Sequence, residues 1–172
     1  RFCREQGAKP VLRAKTGEEA EGLWRARKVI SPALLKVKPH KVSEDVAVPL
    51  GAIPALIAAL QKISRRRGLI IPSYGHAGDG NIHVNVLYDR QIPREREMVN
   101  PAVEDIFTIV RELNGTLSGE HGVGLTKAPY LGMELLPAAM ALQRRIKQAF
   151  DPHNIMNPGK IFPRTPPPAV IA

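Results

Sequence analysis

The sequence has a single cysteine, few aromatic residues and no long apolar run. Cys3 alone cannot build an internal disulfide framework or a thiolate metal site, which fits a reducing compartment. Aromatic residues make up only 5% of the 172 residues, so there are few platforms on which nucleic-acid bases could stack. No stretch approaches the roughly 20 apolar residues that cross a bilayer, and the first ten residues lack the apolar segment of a signal peptide. These absences disfavour secreted disulfide-rich, membrane-spanning and nucleic-acid-binding proteins.

The net charge of +9 calls for an explanation of its own. Basic residues are dispersed along the chain, and only residues 65–67 form a run of arginines. A nucleic-acid interface requires a clustered basic face, so we expect none here. Handling of small anions, or docking on an acidic partner, accounts for the charge equally well.

Apolar periodicity and turn residues predict an α+β domain, with helices packed on one face of an antiparallel sheet of ferredoxin-like type. Thr16 and Glu19 form a capping box that predicts a helix start, and Gly68 predicts a helix end. The predicted strands cover residues 7–15, 41–48, 69–74 and 81–88, with a short strand from 115. The predicted helices cover residues 16–30, 53–67, 94–113 and 135–149. We expect one domain over residues 1–163 and a loose proline-rich tail over 164–172.

Two glycine-rich loops carry the candidate chemistry. The first, "GHAGDGN", lies between two predicted strands and is flanked by His76 and His83. The second, "GEHGVG", contains Glu120 and His121. Two imidazoles and a carboxylate suit zinc, manganese or iron(II), and three ligands leave coordination positions open, as in catalytic sites. Neighbouring side chains of an extended segment point to opposite sides, so a metal-bound Glu120 leaves His121 as a candidate general base.

Two other interpretations of these loops stay open at this level. Both loops are explained as tight turns if Asp79 and Asn81 serve turn chemistry alone. A phosphate-cradling loop is a weaker alternative, because "GHAGDGN" leads into a strand and lacks the Lys-Ser/Thr ending of the nucleotide motif.

Four separated motifs, "EDVAVP", "GHAGDGNIHVNV", "SGEHGVGLTKAPYL" and "IKQAFDPHNIMNPGKIF", give the sequence a family resemblance. Together they resemble the C-terminal region of FAD-linked oxidases of the vanillyl-alcohol-oxidase type. Within these, the sequence is most similar to the D-2-hydroxy-acid dehydrogenases: the glycolate oxidase catalytic subunit, D-lactate dehydrogenase and D-2-hydroxyglutarate dehydrogenase. The resemblance runs from about Ala14 to Phe162.

The resemblance implies a metal site and a base. His76 and His83 match two histidines that bind a divalent metal in the family, zinc or manganese, and Glu120 matches the third ligand. His121 matches the base that takes the hydroxyl proton of the substrate while the hydride goes to the flavin. The implied activity is oxidation of a D-2-hydroxy acid, of the glycolate or D-lactate type, to the 2-oxo acid.

The resemblance also implies substrate and cofactor contacts. Arg27 matches an arginine that grips the substrate carboxylate, a pairing that can be bidentate, and Lys41 is expected to assist it. Asn81 and Asn157 stand in motifs that lie near the flavin in relatives.

The resemblance further implies partners that this sequence does not supply. The family binds FAD mainly through an N-terminal domain, which nothing in the sequence matches, so we expect a fragment that is inactive alone. Other oxidase subunits or a second copy are further expected partners. We expect a cytoplasmic location, with membrane association only through an electron acceptor. The alternative from another class is a non-catalytic interaction subunit with a vestigial site.

Overall fold

The structure, a computed structural model, describes residues 1–162, so the tail expected at 164–172 lies outside the described residues. Two compact units divide the chain, Arg1–Val37 and the segment that begins at Lys38. The first unit contains three helices: α1 (Phe2–Glu5), α2 (Gly17–Lys28) and α3 (Ile30–Leu34). The second contains β1 (His40–Ala47), α4 (Ile53–Arg67), β2 (Ser73–His76), β3 (Asn81–Tyr88), α5 (Pro93–Glu112) and α6 (Pro137–Phe150). All four predicted helices are confirmed, as α2, α4, α5 and α6.

The predicted start of α2 is confirmed by its capping contacts. The Thr16 hydroxyl accepts the N–H of Glu19 at 3.2 Å, and the Glu19 carboxylate accepts the N–H of Lys15 at 2.6 Å. The strand predicted over residues 7–15 is wrong, because this segment forms no strand. A strand needs a hydrogen-bonded partner, and Pro10 in its middle has no N–H to donate.

The sheet is antiparallel, with β3 between β1 and β2. Ala47 at the end of β1 also forms an antiparallel bridge with Thr116, through hydrogen bonds of 2.8 and 3.1 Å. The spatial order is therefore Thr116, β1, β3, β2, which is the strand order of a ferredoxin-like βαββαβ unit with a rudimentary fourth strand. The short strand predicted from residue 115 is thus reduced to this one bridge.

Alternation along the strands separates an apolar face from a polar face. The residues Val46, Ile82, Val84 and Val86 point to the side on which α4 and α5 pack, and all are buried. Leu56 and Leu60 of α4 and Phe107 of α5 complete this core. The opposite face carries Asp45 and His83, which are direct partners across β1 and β3. The helices therefore stabilise the sheet from one side and leave the other side for polar groups.

Glu44 is the exception on the apolar face. It is only 2% exposed, and its Oε2 atom has no hydrogen-bond partner among the described residues. Burial raises the pKa of Glu44 to about 7, against the opposing effect of Lys127 and with a smaller contribution from the Asp45 charge. Ionisation of Glu44 near neutral pH therefore lowers the stability of the folded state.

Replacing Glu44 with glutamine is expected to make folding stability less dependent on pH. Because the folded-state pKa is raised above the ordinary value of 4.5, the contribution of Glu44 is fully present below that value and is lost as the pH rises through about 7. The loss in the wild type is on the order of 3 kcal/mol. Urea unfolding at acidic and at mildly alkaline pH measures it, with the exposed Glu104→Gln on α5 as control. Equal pH dependence in Glu44→Gln and wild type would contradict the expectation.

Candidate functional site

Two loops meet over the polar face of the sheet. The first connects β2 to β3 and places His76 at the end of β2 and His83 two residues inside β3. The second follows the Thr116 bridge and carries Glu120 and His121. Because β3 is the central strand, His83 lies between Asp45 on one side and Tyr74 on the other.

The Glu120 carboxylate lies among three imidazoles. Its Oε1 atom is 3.6 Å from Nε2 of His83, 3.5 Å from Nε2 of His121 and 4.0 Å from Nε2 of His76. The His83 ring is stacked on His121 at 5.5 Å and meets His76 edge-on at 5.4 Å. The His83 side chain is 14% exposed, whereas those of His76, Glu120 and His121 are 48%, 50% and 62% exposed. The cluster therefore has one shielded imidazole and an open side.

The side chains of Glu120 and His121 converge, which differs from the opposite directions expected of an extended segment. Residues 119–121 form a bend rather than a strand. Gly119 allows this close approach, because a Cβ at that position would lie 2.2 Å from Nδ2 of Asn81. The loop therefore lies directly against the start of β3, and both Glu120 and His121 face His83.

The Asp45 carboxylate on β1 joins the two loops through hydrogen bonds. Its Oδ2 atom accepts the N–H groups of Glu120 at 2.8 Å and His121 at 2.9 Å, and its Oδ1 atom accepts Nδ2 of Asn81 at 2.8 Å. Burial alone raises the pKa of Asp45, but these three donors outweigh burial and bring it to about 2. Asp45 is therefore ionised at any physiological pH.

Burial is also the main influence on His83 and lowers its pKa. The carboxylates of Asp45 and Glu120 oppose this effect, while the neighbouring imidazoles of His121 and His76 add to it. A lowered pKa keeps His83 neutral at physiological pH, which is the form that binds a metal.

The donor set fits a divalent cation. Ligand atoms bound at about 2.1 Å to one tetrahedral ion lie about 3.4 Å apart, close to the distances from Glu120 to His83 and His121. Asp45, His83, Glu120 and His121 each offer an atom within 4.8 Å of the others, and the predicted ligand His76 is not part of this group. Imidazole and carboxylate donors together suit a borderline divalent cation.

The other predicted site residues lie at varying distances from this cluster. Asn81 is adjacent and hydrogen-bonded to Asp45, while its Oδ1 atom is buried without a hydrogen-bond partner among the described residues. Lys41 lies on the same face of β1 as Asp45 and pairs with Leu87, four residues from Asp45 along the strand. Asn157 lines a separate cavity of about 470 Å³ after α6, with a left-handed φ of 47°. Arg27 belongs to α2 in the first unit.

Asp79 does serve turn chemistry, as the alternative interpretation of the first loop requires, whereas the Asn81 side chain donates to Asp45. The Asp79 carboxylate accepts the N–H of Asn81 at 3.0 Å. Turn formation does not by itself explain the second loop, whose Glu120 points at the imidazoles.

Sequence reasoning missed Asp45 and Lys127. Nζ of Lys127 donates to the backbone oxygen of Asp45 at 2.7 Å and lies 3.8 Å from its Oδ2 atom, and both residues are buried. The signal for Asp45 was available, because two consecutive acids inside a predicted strand run against strand propensity. Nothing in the sequence distinguishes Lys127 from the exposed lysines.

Comparison with known proteins gives the family. The profile of the family described as FAD linked oxidases, C-terminal domain, matches residues 1–161. The chain therefore belongs to the FAD-linked oxidases and matches their C-terminal domain. Among the described residues, no helix combines the length and the apolar character needed to span a membrane.

Three relatives illustrate the range of the family. The chain is 41% identical to glycolate oxidase subunit GlcD of Bacillus subtilis over 171 residues, which cover 99% of the chain and 36% of the relative. It is 34% identical to D-2-hydroxyglutarate dehydrogenase of Stutzerimonas stutzeri, covering 93% of the chain and 35% of the relative. It is 40% identical to the mitochondrial D-lactate dehydrogenase [cytochrome] 1 of Saccharomyces cerevisiae, covering 89% of the chain and 27% of the relative. The chain thus spans about a third of the length of these relatives.

Proposed function

We propose that this chain is the substrate- and metal-binding part of a flavin-dependent dehydrogenase that oxidises a D-2-hydroxy acid to the 2-oxo acid. The observation that carries the proposal is the position of the Glu120 carboxylate, within 4.0 Å of three imidazole nitrogens on an open face of the sheet. The names of the three relatives, which refer to glycolate, D-2-hydroxyglutarate and D-lactate, support the substrate class. In this proposal the complete enzyme binds FAD through a portion outside this chain and acts in the cytoplasm.

In this proposal His76, His83 and Glu120 hold the cation. His83 is neutral at physiological pH because burial lowers its pKa, and the Glu120 carboxylate supplies the negative charge that favours a cation. When bound, the divalent metal polarises the substrate hydroxyl and FAD accepts the hydride. The half-exposed positions of His76 and Glu120 leave room for the substrate on the outer side.

His121 is the general base in this proposal. Its imidazole is the most exposed of the cluster, and a histidine accepts a proton efficiently near neutral pH. Nε2 of His121 takes the hydroxyl proton while the hydrogen on the carbinol carbon leaves as a hydride, so that one proton and one hydride are removed and a carbonyl forms. The nearby Glu120 carboxylate stabilises the resulting imidazolium.

Substrate and cofactor contacts complete the proposal. Arg27 and Lys41 bind the substrate carboxylate, which agrees with the basic character of the chain. Asn81, whose buried Oδ1 atom has no hydrogen-bond partner among the described residues, and Asn157 face the flavin.

Anaerobic mixing of the complete flavoprotein with candidate substrates tests the proposal. Glycolate, D-lactate and D-2-hydroxyglutarate are supplied separately, and the loss of the yellow flavin absorbance is followed. At least one of them is expected to reduce the flavin, and L-lactate is expected to do so much more slowly than D-lactate. A flavoprotein that binds metal and FAD but is reduced by none of these acids would favour the non-catalytic interaction subunit instead.

A further inference from the structure

We propose that Asp45 is a positioning residue that sets the geometry of the metal centre without binding the metal. This inference rests on the proposed function. The observation behind it is that one buried carboxylate, 1% exposed, holds both glycine-rich loops at once. It accepts the N–H groups of Glu120 and His121 from one loop and the amide of Asn81 from the other.

Three of the roughly four lone-pair sites of the Asp45 carboxylate are committed to these donors. Oδ2 takes two backbone N–H groups, and Oδ1 takes the Asn81 amide and lies 3.7 Å from Nδ1 of His83. That last distance is too long for a hydrogen bond, so the carboxylate acts on His83 as a nearby negative charge. The opposite ring nitrogen, Nε2, is the one that faces Glu120. Asp45 thus places two groups of the cluster through their backbone and influences a third through its charge.

The position of Asp45 is itself fixed by hydrogen bonds to its backbone oxygen. Its backbone oxygen accepts Nζ of Lys127 at 2.7 Å and the N–H of Gly119 at 3.2 Å. Lys127 also lies 3.8 Å from Oδ2, so a buried ammonium offsets the buried carboxylate. Strand β1, the second loop and Lys127 are therefore joined at one residue, and a change at Asp45 alters the position of Glu120.

All of the groups bonded to the Asp45 side chain are N–H donors, which gives a specific test. In Asp45→Asn, the new oxygen keeps the N–H groups of Glu120 and His121 only if its NH₂ group faces Asn81. The Asn81 amide then either opposes it with its own NH₂ group or turns that group into the buried position where its Oδ1 atom has no partner among the described residues. In the double variant Asp45→Asn/Asn81→Asp, the new oxygen at residue 45 accepts Glu120 and His121, and the new NH₂ group donates to the carboxylate introduced at residue 81. The double variant therefore restores every hydrogen bond with the carboxylate moved to the neighbouring residue.

The experiment measures cobalt(II) affinity of the metal-stripped complete protein, from the visible absorption of the bound ion. Asp45→Asn is expected to weaken binding roughly 10- to 100-fold, the usual effect of losing a residue that orients ligands. The double variant is expected to recover most of that loss. The control is Ser43→Ala, two residues from Asp45 on β1. It removes a 2.7 Å hydrogen bond from Ser43 to Asn85 of β3 and is expected to bind cobalt as the wild type does. Circular dichroism shows that each variant is folded.

Three outcomes overturn the positioning role. Wild-type affinity in Asp45→Asn means that the loops do not depend on Asp45. A folded double variant that binds as weakly as Asp45→Asn means that residue 45 acts as a direct ligand. An equal loss of cobalt affinity in Ser43→Ala means that any change of a polar residue on this face of the sheet weakens metal binding. Failure of the proposed function looks different, because the wild type itself then binds no cobalt or is reduced by no hydroxy acid.

Discussion

Turnover of the complete enzyme with its best D-2-hydroxy acid is expected to fall roughly 100-fold or more when His121 is replaced by alanine. The reason is that Nε2 of His121 is the exposed proton acceptor in the proposed reaction, while His76, His83 and Glu120 remain to hold the metal. Metal content is therefore expected to stay at the wild-type level. Steady-state kcat and metal analysis of the same preparation measure the two effects separately.

The control for this experiment is His153→Ala, which removes an exposed histidine after α6 and is expected to leave kcat unchanged. Near-normal kcat in His121→Ala would remove the base from the mechanism. If His121→Ala loses the metal and His76→Ala retains it, His121 is the metal ligand and His76 is the candidate base. That exchange is a meaningful alternative, because His121 lies 3.5 Å and His76 lies 4.0 Å from the Glu120 carboxylate.

Replacement of His83 by alanine is expected to have the largest effect on metal binding. His83 is the most shielded imidazole of the cluster and is central to it, with Glu120, His76 and His121 all in contact range. Loss of a direct ligand is expected to weaken binding by more than the roughly 10- to 100-fold that follows loss of an orienting residue. Competition for zinc with a chromophoric chelator measures the affinity.

His40→Ala is the matched control for His83. His40 lies at the far end of β1, where its Nδ1 atom accepts the N–H of Arg90 at 3.2 Å, and its replacement is expected to leave zinc affinity unchanged. Because metal binding displaces protons from imidazole, wild-type affinity is expected to fall as the pH is lowered. Unchanged affinity in His83→Ala would place the metal elsewhere and contradict the proposed ligand set.

The sheet and its polar face were predictable because they follow from local periodicity. Alternation in residues 81–88 predicts that Val84 and Val86 share one face and that His83 and Asn85 share the other. The structure confirms this and shows the valines in the core. The capping box at Thr16 and the terminal Gly68 likewise mark helix ends through short-range contacts. These features depend on residues within a few positions of one another.

Features that depend on long-range contacts were not predictable in the same way. Asp45 meets Glu120 and His121 across 75 and 76 residues of sequence. The bend at 119–121, which turns Glu120 and His121 to the same side, includes both residues of that contact. In α6, the apolar residues Leu142 and Ile146 predict an amphipathic helix, but both are exposed in the structure. Amphipathic spacing indicates a helix and gives no information on what covers it.

The division of the sheet into two faces constrains how this protein can change over time. In β3, Ile82, Val84 and Val86 belong to the hydrophobic interior, whereas His83, which lies between Ile82 and Val84, belongs to the reactive surface. Single substitutions on the reactive surface can therefore alter chemistry while the interior keeps its packing. Gain or loss of one residue within β3 exchanges the two sets, because it turns His83 inward and its apolar neighbours outward. Length variation among homologues should consequently be confined to the segments outside the paired strands.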